Sequence, residues 1–251
     1  MARCDKLHDM SRATIQSPTR PSSLARLAGV SKGHASNLLT GLVHTGRARR
    51  VTKGLYVPGE TPRATLRPSP MMRRVARRIS EALPAIQPVL SSTQQVATLM
   101  HNTPTREFVL LGIAREFSRD VVQSLATAGV PAQVVGTRAD MERLVDLPGR
   151  SVVAVLPIGD MRSSAPFLGV RIARPERLLV DLFLGYERLG LPIYREDIAE
   201  VGRSLMSDFD FSISRALDYA RRRRAYEMTR SFLRDLVAHD QKLSDYRDAL
   251  P

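Results

Sequence analysis

Apolar side chains recur with a helical period at one place in the N-terminal third of the chain. The positions are Ala35, Leu38, Leu39 and Leu42. Their spacing of i, i+3, i+4 and i+7 places them on one face of a helix, which we predict to span residues 32–43. Ser31 stands immediately before this helix, where its hydroxyl can accept a hydrogen bond from a free amide of the first turn.

Turn-forming residues lie on both sides of this helix. A shorter stretch, residues 24–28, predicts a preceding helix that Gly29 ends, because glycine adopts the left-handed conformation without strain. After the longer helix, β-rich runs at residues 48–51 and 55–57 predict a hairpin with a tight turn at Lys53-Gly54. Two helices joined by a short turn and followed by a hairpin indicate a winged helix-turn-helix.

The remainder of the chain alternates strand-like and helical segments after a proline-rich stretch. Residues 58–70 hold four prolines and a glycine, which is typical of a linker, so we divide the chain into domains 1–70 and 71–251. The predicted strands are residues 86–90, 108–113, 132–135, 152–157 and 167–172. The other predicted helices are residues 5–15, 71–83, 93–101, 118–128, 140–144, 176–188, 195–206 and 212–239. The sequence therefore predicts an α+β protein, in which an N-terminal winged helix-turn-helix precedes a small α/β sheet region and a C-terminal helical region.

Positive charge is concentrated in the N-terminal third. The chain has 38 Lys and Arg against 25 Asp and Glu, a net charge of +13. Residues 1–78 hold 16 of the basic and three of the acidic residues, whereas residues 79–251 hold 22 of each. A general preference for arginine would raise the charge of both parts, so the asymmetry indicates a phosphate-binding module joined to a neutral domain. We therefore expect residues 19–58 to bind double-stranded DNA. The alternative is a helix-turn-helix that serves only packing or protein docking.

Candidate contacts follow from how such a module meets DNA. The second helix enters the major groove with its first turns at the base edges. The predicted contacts of this helix are Ser31, Lys32, His34, Ser36, Asn37 and Thr40. Asn37 can pair bidentately with adenine, and Lys32 can bond guanine or a phosphate. The hairpin adds cations that we expect to contact backbone phosphates or the minor groove. They are Arg47, Arg49, Arg50 and Lys53.

Residue types that carry catalysis or bind metals are sparse and scattered. The single cysteine is Cys4, and no two of the five histidines stand three or four positions apart, so we expect no metal site and no cofactor. We interpret Asp208 and Asp210 as residues of a loop and helix cap before Ser212, in preference to a catalytic acid pair. Arg177 and Asp181, four positions apart on one predicted helix, indicate an ion pair. With no catalytic constellation, membrane-length apolar run or signal sequence in view, we expect a cytoplasmic protein that is not an enzyme and binds no membrane.

Several stretches resemble the AbiEi-type antitoxins of type IV bacterial toxin–antitoxin systems. Residues 24–33 and 50–57 are similar to the winged-helix opening of that family. Residues 89–93 leading to residues 99–101 are similar to its strand-then-helix segment, and residues 219–223 are also similar. The most specific stretch is residues 173–182, with Pro175-Glu176-Arg177 and Asp181, which resembles the family's helix of "PEK-L-L-D" type. The chain departs from the family in its long proline-rich linker and in the arginine run at residues 221–224, which predicts a solvated helix face or an added nucleic-acid contact.

The resemblance implies a two-part function. The N-terminal domain would bind inverted repeats in the promoter of its own operon and repress transcription. The C-terminal domain would neutralise a nucleotidyltransferase-type toxin, with or without a stable contact. The residues themselves leave two alternatives open: a ligand-responsive repressor without a toxin partner, and an enzyme such as a nuclease with dispersed carboxylates and a metal ion.

Overall fold

The computed structural model describes Ile15 and residues 17–59 and 64–250, so the predicted helix 5–15 lies outside the described residues except for its last position. The N-terminal elements are α1 (Pro21–Ala28), α2 (Lys32–His44), β1 (Ala48–Thr52) and β2 (Leu55–Pro58). The two predicted helices and the two predicted strands of this part are confirmed, with small differences at their ends.

Local residue choices explain where these elements begin and end. Pro21 occupies the start of α1, where its missing N–H costs nothing, and Gly29 ends the helix at φ 64°. Ser31 is the N-cap of α2, as predicted, because its side chain accepts a hydrogen bond from the backbone N–H of His34 at 3.2 Å. Gly54, at φ 79°, lies in the tight turn between the antiparallel strands β1 and β2.

The strands of the second part form one mixed sheet. They are β3 (Val89–Ser92), β4 (Glu107–Ile113), β5 (Ala132–Val134), β6 (Ser151–Pro157), β7 (Ser164–Phe167) and β8 (Val170–Ala173). Their order across the sheet is β5-β6-β4-β3-β8-β7. Strands β4 and β5 both run parallel to β6, with Val109 opposite Val153 and Gln133 opposite Ala154. β3 pairs antiparallel with β4 and parallel with β8. The carboxyl ends of β4, β5 and β6 therefore meet at the same edge of the sheet.

Helices cover both faces of this sheet. They are α3 (Pro70–Ala82), α4 (Ser118–Thr127), α5 (Arg138–Val145), α6 (Pro175–Leu184), α7 (Arg195–Asp208), α8 (Ile213–Arg222) and α9 (Tyr226–Ala238). Shorter 3₁₀ or π turns span Thr93–Leu99, Arg115–Phe117, Gly185–Leu189 and Gln241–Ala249. Val109 and Leu111 of β4 pack with α3 and α4, whereas Phe108 and Leu110 pack with α5–α9. Burial of both faces explains the almost continuous apolar runs of β4 and β6.

Three predicted segments differ from the structure, two because they are interrupted and one in the type of helix. The predicted strand 167–172 is the turn of the hairpin β7–β8 and part of its strands, because Leu168 and Gly169 have φ of 45° and 78°. The predicted long helix 212–239 is two helices, because Arg224 at φ 51° separates α8 from α9. The predicted helix 93–101 is a 3₁₀ turn that ends at Leu99. A hydrophobic period does not register a single residue of positive φ, which is why the first two breaks were missed.

The hairpin β1–β2 shares the core of the second part. The N-terminal elements bury a small cluster of their own, consisting of Leu39, Leu42, Ala48 and Tyr56. Val51 and Val57, one from each hairpin strand, are 1% and 0% exposed and belong to the same apolar cluster as α5–α9. In the predicted linker, Ala64 forms a backbone bridge with Phe209, and Leu66 packs against that cluster. The hairpin is thus fixed against the helical region by burial as well as by chain connection.

Because Val57 is buried in this shared core, Val57→Ala should destabilise the whole protein and not only the hairpin. Loss of two buried methyl groups should lower the free energy of unfolding by roughly 2 kcal/mol, measured by chemical denaturation as one cooperative transition. Val145→Ala is the matched control, since Val145 is 37% exposed, and should change the free energy by less than about 0.5 kcal/mol. Two separate transitions, of which Val57→Ala shifts only one, would contradict the shared core.

Candidate functional site

The outer face of α2 presents polar side chains to solvent. Of the residues predicted to contact DNA, the exposed ones on this helix and its cap are Ser31, Lys32, His34, Asn37 and Thr40, and Ser36 is half-buried. Thr40 uses its hydroxyl locally, as a donor to the carbonyl oxygen of Ser36 at 2.9 Å. The side chains of Lys32, His34 and Asn37 form no hydrogen bond with any described residue. These three are therefore available to an external ligand.

The hairpin places further cations beside α2. Arg50 and Lys53 are exposed, and Arg47 is half-buried. The Arg50 guanidinium donates from Nε to the carbonyl oxygen of Thr52 at 3.3 Å and lies 6.0 Å from the ring centroid of Tyr56. Residues 17–59 contain seven Lys and Arg and no Asp or Glu, so no carboxylate of this segment neutralises them.

We refer to five side chains as the α2–hairpin surface: Lys32, His34, Asn37, Arg50 and Lys53. A surface with several cations and an exposed amide is suited to a ligand with phosphate oxyanions and hydrogen-bonding edges.

Arg49 differs from the other predicted hairpin contacts. It is half-buried, donates from Nη1 to the phenolic oxygen of Tyr246 at 3.1 Å, and lies with its guanidinium 5.3 Å from the centroid of that ring. Tyr246 is 1% exposed and donates its own hydroxyl to the carbonyl oxygen of Met206 at 2.6 Å. Arg49 therefore ties β1 to the C-terminal turn, a role that sequence reasoning did not foresee. Its contact with DNA stays a prediction.

The arginine run at residues 221–224 is mostly engaged within the protein. The ion-pair partners are Asp218 for Arg221, Asp160 for Arg222 and Asp181 for Arg223. The Arg223–Asp181 distance is 2.6 Å, and the Arg223 side chain is 15% exposed. A solvated helix face does not describe Arg223, and the nucleic-acid contact stays a prediction. The side chains of Arg222 and Arg223 join α8 to the loop after β6 and to α6.

Arg177 lies at the centre of a buried polar network. It is 1% exposed, and its Nε lies 3.3 Å from Oδ2 of Asp181, which confirms the predicted ion pair. Its Nη1 donates to the carbonyl oxygens of Asp160 and Arg162. Tyr219 donates its hydroxyl to Asp181 at 2.7 Å. Burial raises the pKa of Tyr219, and the adjacent charge of Asp181 raises it further, so this phenol stays protonated and acts as a donor.

Neighbouring residues are shaped around the same network. A Cβ on Gly112 would lie 2.6 Å from Nη2 of Arg177, so a larger residue at this position of β4 would require the guanidinium to move. Glu176 is fully buried and accepts hydrogen bonds from the backbone N–H of Ser212 at 2.9 Å and from Nε of Arg215 at 2.6 Å. Burial raises the pKa of Glu176, and the charge of Arg215 opposes that rise. These contacts hold α6 and α8 together.

No metal centre forms from the part of the chain that the structure describes. Within it, no three His, Cys, Asp or Glu side chains are grouped so that they could hold an ion. Asp208 and Asp210 have separate partners: Ser207 donates to Asp208 at 2.7 Å, and Arg215 pairs with Asp210 at 3.3 Å. Among the described helices, none combines the length and apolar character needed to span a bilayer.

A comparison with family models gives one match. Residues 35–239 match a family described as "Family of unknown function (DUF6577)", which is well over half of the chain. The chain belongs to the DUF6577 family. The match begins inside α2 and ends just after α9, so what defines a DUF6577 protein includes the hairpin together with the sheet and the helices. None of the curated proteins matches the chain.

Sequence reasoning found part of the polar network of this DUF6577 protein and missed the rest. The spacing of Arg177 and Asp181 revealed one ion pair. The same i, i+4 spacing of Tyr219 and Arg223 was a signal for the contact between those two residues, which form the other part of the network. Nothing along the chain shows that the two helices meet. Tyr246 carries no local signal at all, because its partner Arg49 is 197 residues away.

Tyr246→Phe should loosen the hairpin of the DUF6577 protein without unfolding it. The variant keeps the aromatic ring beside Arg49 but removes the hydroxyl that contacts Arg49 and Met206, at a cost of about 1–2 kcal/mol. Hydrogen exchange followed by mass spectrometry should become faster in residues 48–58 and stay unchanged in α4. Tyr194→Phe is the matched control, because Tyr194 is 63% exposed, and it should change the exchange rate in neither segment. Unchanged exchange in the hairpin of Tyr246→Phe would show that apolar contacts alone fix it.

Proposed function

We propose that this DUF6577 protein is a DNA-binding antitoxin of a type IV toxin–antitoxin system. In this proposal α1, α2 and the β1–β2 hairpin act as a winged helix-turn-helix that binds inverted repeats in its own promoter and represses transcription. The second part neutralises a nucleotidyltransferase-type toxin. The observation that carries the DNA-binding half is the α2–hairpin surface, where exposed polar and cationic side chains coincide with a segment that has no carboxylates.

The geometry of α2 supports a major-groove contact. The helix has 13 residues, and its exposed polar side chains begin in the first turn, which is where recognition helices meet base edges. Lys32 has the chemistry to bond guanine acceptors, and the Asn37 amide can pair with adenine. Arg50 and Lys53 supply point charges for phosphates, which position the module without reading sequence.

The docked hairpin supports the same proposal on energetic grounds. Val51 and Val57 are buried in the shared core, and Arg49 contacts Tyr246, so the hairpin is ordered before any ligand arrives. A binding element that is already ordered loses less conformational entropy on association than a free loop does.

Support for the antitoxin half comes from the resemblance of residues 173–182 to the AbiEi-type family. In the structure these residues run from the end of β8 into α6. Arg177 and Asp181 are buried there, so their role is to hold the scaffold together and not to touch a toxin. The resemblance thus concerns residues that stabilise the fold. We assign the proposed neutralisation to the second part as a whole.

DNA binding should depend on the cations of the α2–hairpin surface. The triple variant Lys32→Ala, Arg50→Ala, Lys53→Ala should bind DNA from upstream of the protein's own gene more weakly, in a gel-shift or anisotropy titration. The slope of log K against log salt should fall by roughly 2–3, since each lost phosphate contact accounts for about 0.9. Arg49 is left intact in this variant because removing it would also release the hairpin.

The matched control removes three cations elsewhere on the surface. Arg115, Arg119 and Arg143 are exposed and lie outside the hairpin and α2, so their joint replacement by Ala should leave affinity for DNA and the salt slope close to the parent values. An equal loss of DNA affinity in both triple variants would show that the interaction depends only on net charge. No loss in the first variant would remove the α2–hairpin surface from the proposal.

Neutralisation should survive the loss of DNA binding. In cells that express the nucleotidyltransferase-type toxin that the proposal pairs with this protein, the full-length triple variant Lys32→Ala, Arg50→Ala, Lys53→Ala should restore growth as well as the parent while failing to repress a promoter reporter. Substitution is preferable to deletion of residues 1–83, since deletion would expose the apolar surface that Val51 and Val57 cover. Continued cell death with the folded variant, when the parent protects, would contradict two separable functions. Death with the parent protein would overturn the antitoxin half.

A further inference from the structure

We propose that a cleft at the carboxyl ends of β5 and β6 binds a small organic anion, namely a carboxylate or a phosphate ester carried on a compact apolar body. We call it the β5–β6 cleft and define it by Val135, Leu156, Leu184, Arg188, Leu189 and Arg223. It is separate from the α2–hairpin surface, so the inference goes beyond the proposed function and stands without it.

The position of the cleft is the first argument. Val135 and Gly136 directly follow β5, and Leu156 and Pro157 are the last residues of β6. The two strands are parallel neighbours, so their carboxyl ends open on the same side. In open α/β sheets ligands bind in the crevice outside the carboxyl ends of parallel strands. The β5–β6 cleft occupies that location.

An excess of positive charge beside the cleft is the second argument. Arg188 and Arg223 line the cleft, and Arg177 and Arg222 belong to the polar network beside it. The carboxylates that pair with them are Asp160, bound by Arg222, and Asp181, which Arg177 and Arg223 share. Arg188 donates to the carbonyl oxygens of Arg223 and Arg224, at 3.0 and 2.8 Å, and pairs with no described carboxylate. These four guanidinium groups share two carboxylates, and the exposed Arg188 is the cation that would pair with an anion in the cleft. A third carboxylate, Asp140, accepts the backbone N–H of Gly136 at 3.0 Å and pairs with Arg143.

The two arginines that line the cleft retain hydrogen-bonding capacity. A guanidinium carries five N–H donors, and the hydrogen bonds of Arg223 within the described chain all come from Nη1. Arg188 donates one hydrogen bond from each of its Nη atoms and none from Nε. Asp181 raises the pKa of Arg223 against the effect of burial, so this side chain remains charged. Planar donors of this kind match the oxygen pairs of carboxylates and phosphates.

The remaining walls restrict the ligand further. Val135, Leu156, Leu184 and Leu189 are apolar, so the body of the ligand would lie against hydrocarbon while its charged end meets the arginines. The volume is about 230 Å³, which is small compared with pockets for drug-sized ligands. A ligand with a single small ring or short branched chain and one anionic group fits both restrictions.

Isothermal titration of the full-length protein with four probes tests the inference. Benzoate and phenyl phosphate carry an anion on an apolar ring, benzamide carries the ring without charge, and inorganic phosphate carries the charge without a ring. We expect saturable one-to-one binding of benzoate, phenyl phosphate or both, and at least roughly tenfold weaker binding of benzamide and inorganic phosphate. The stronger of the two aromatic anions identifies carboxylate or phosphate ester as the preferred group.

Three variants locate the binding. Arg188→Met keeps the length of the side chain and removes its charge, and should weaken binding at least roughly tenfold. Leu189→Phe narrows the cleft with all charges intact and should also weaken binding. Arg221→Met is the matched control, because Arg221 is exposed and does not line the cleft, and should bind as the parent does. If Arg188→Met does not fold, Arg188→Gln and Leu189→Phe decide the question together.

Three results would overturn the inference. One is the absence of saturable binding by either aromatic anion at millimolar concentration. A second is equal binding of benzamide, which would mark an apolar cavity without anion recognition. The third is undiminished binding in both the Arg188 and Leu189 variants, which would place the ligand elsewhere. DNA binding enters none of these measurements, so failure here leaves the proposed function untouched, and failure of the proposed function leaves this site untouched.

Discussion

Burial of the β1–β2 hairpin against the helical layer is the contact on which the rest of the arrangement depends. Val51 and Val57 complete an apolar cluster that is otherwise built from α5–α9 and one face of the sheet. Arg49 adds a polar contact to Tyr246 at the edge of that cluster. Because the hairpin packs on its inner side, its outer cations and the face of α2 beside it point to solvent. Burial of the inner side fixes the hairpin next to α2, while its charged outer side stays in solvent.

Arginine serves two physical roles in this chain, and burial separates them. On the α2–hairpin surface Lys32, Arg50 and Lys53 are exposed and pair with no described carboxylate, so their charge remains available to an external anion. Around α6 and α8 the guanidinium groups instead contact carboxylates, carbonyl oxygens and an aromatic ring. Burying such groups is tolerated only when they are paired and hydrogen-bonded, and Arg177 meets that condition through Asp181 and two carbonyl oxygens. Net charge alone would not distinguish these environments.

The sheet brings one polar network into contact with several parts of the molecule. Near the ends of its parallel strands β4 and β6 lie Gly112 and the loop that contains Asp160, and Arg177 on α6 lies against both places. The same network continues through Tyr219 on α8 and Arg223 directly after it, and α8 also contacts β1. The hairpin, the helical layer and the carboxyl edge of the sheet are therefore joined through α8. Membership of the DUF6577 family spans the same elements, from α2 to the end of α9.

Local patterns in the sequence determined the helices α1 and α2, the hairpin, most strands of the sheet, the Ser31 cap and the Arg177–Asp181 pair, because each depends on residues within a few positions of one another. The breaks at Leu168 and Arg224 escaped that reasoning, since one positive φ leaves the hydrophobic period unchanged. Only the tertiary structure decided that Arg49 meets Tyr246, that Asp181 serves two arginines and that the hairpin lies in a shared core. Those contacts join residues far apart in the chain, and their energies depend on burial and on the relative placement of helices, which no local spacing records.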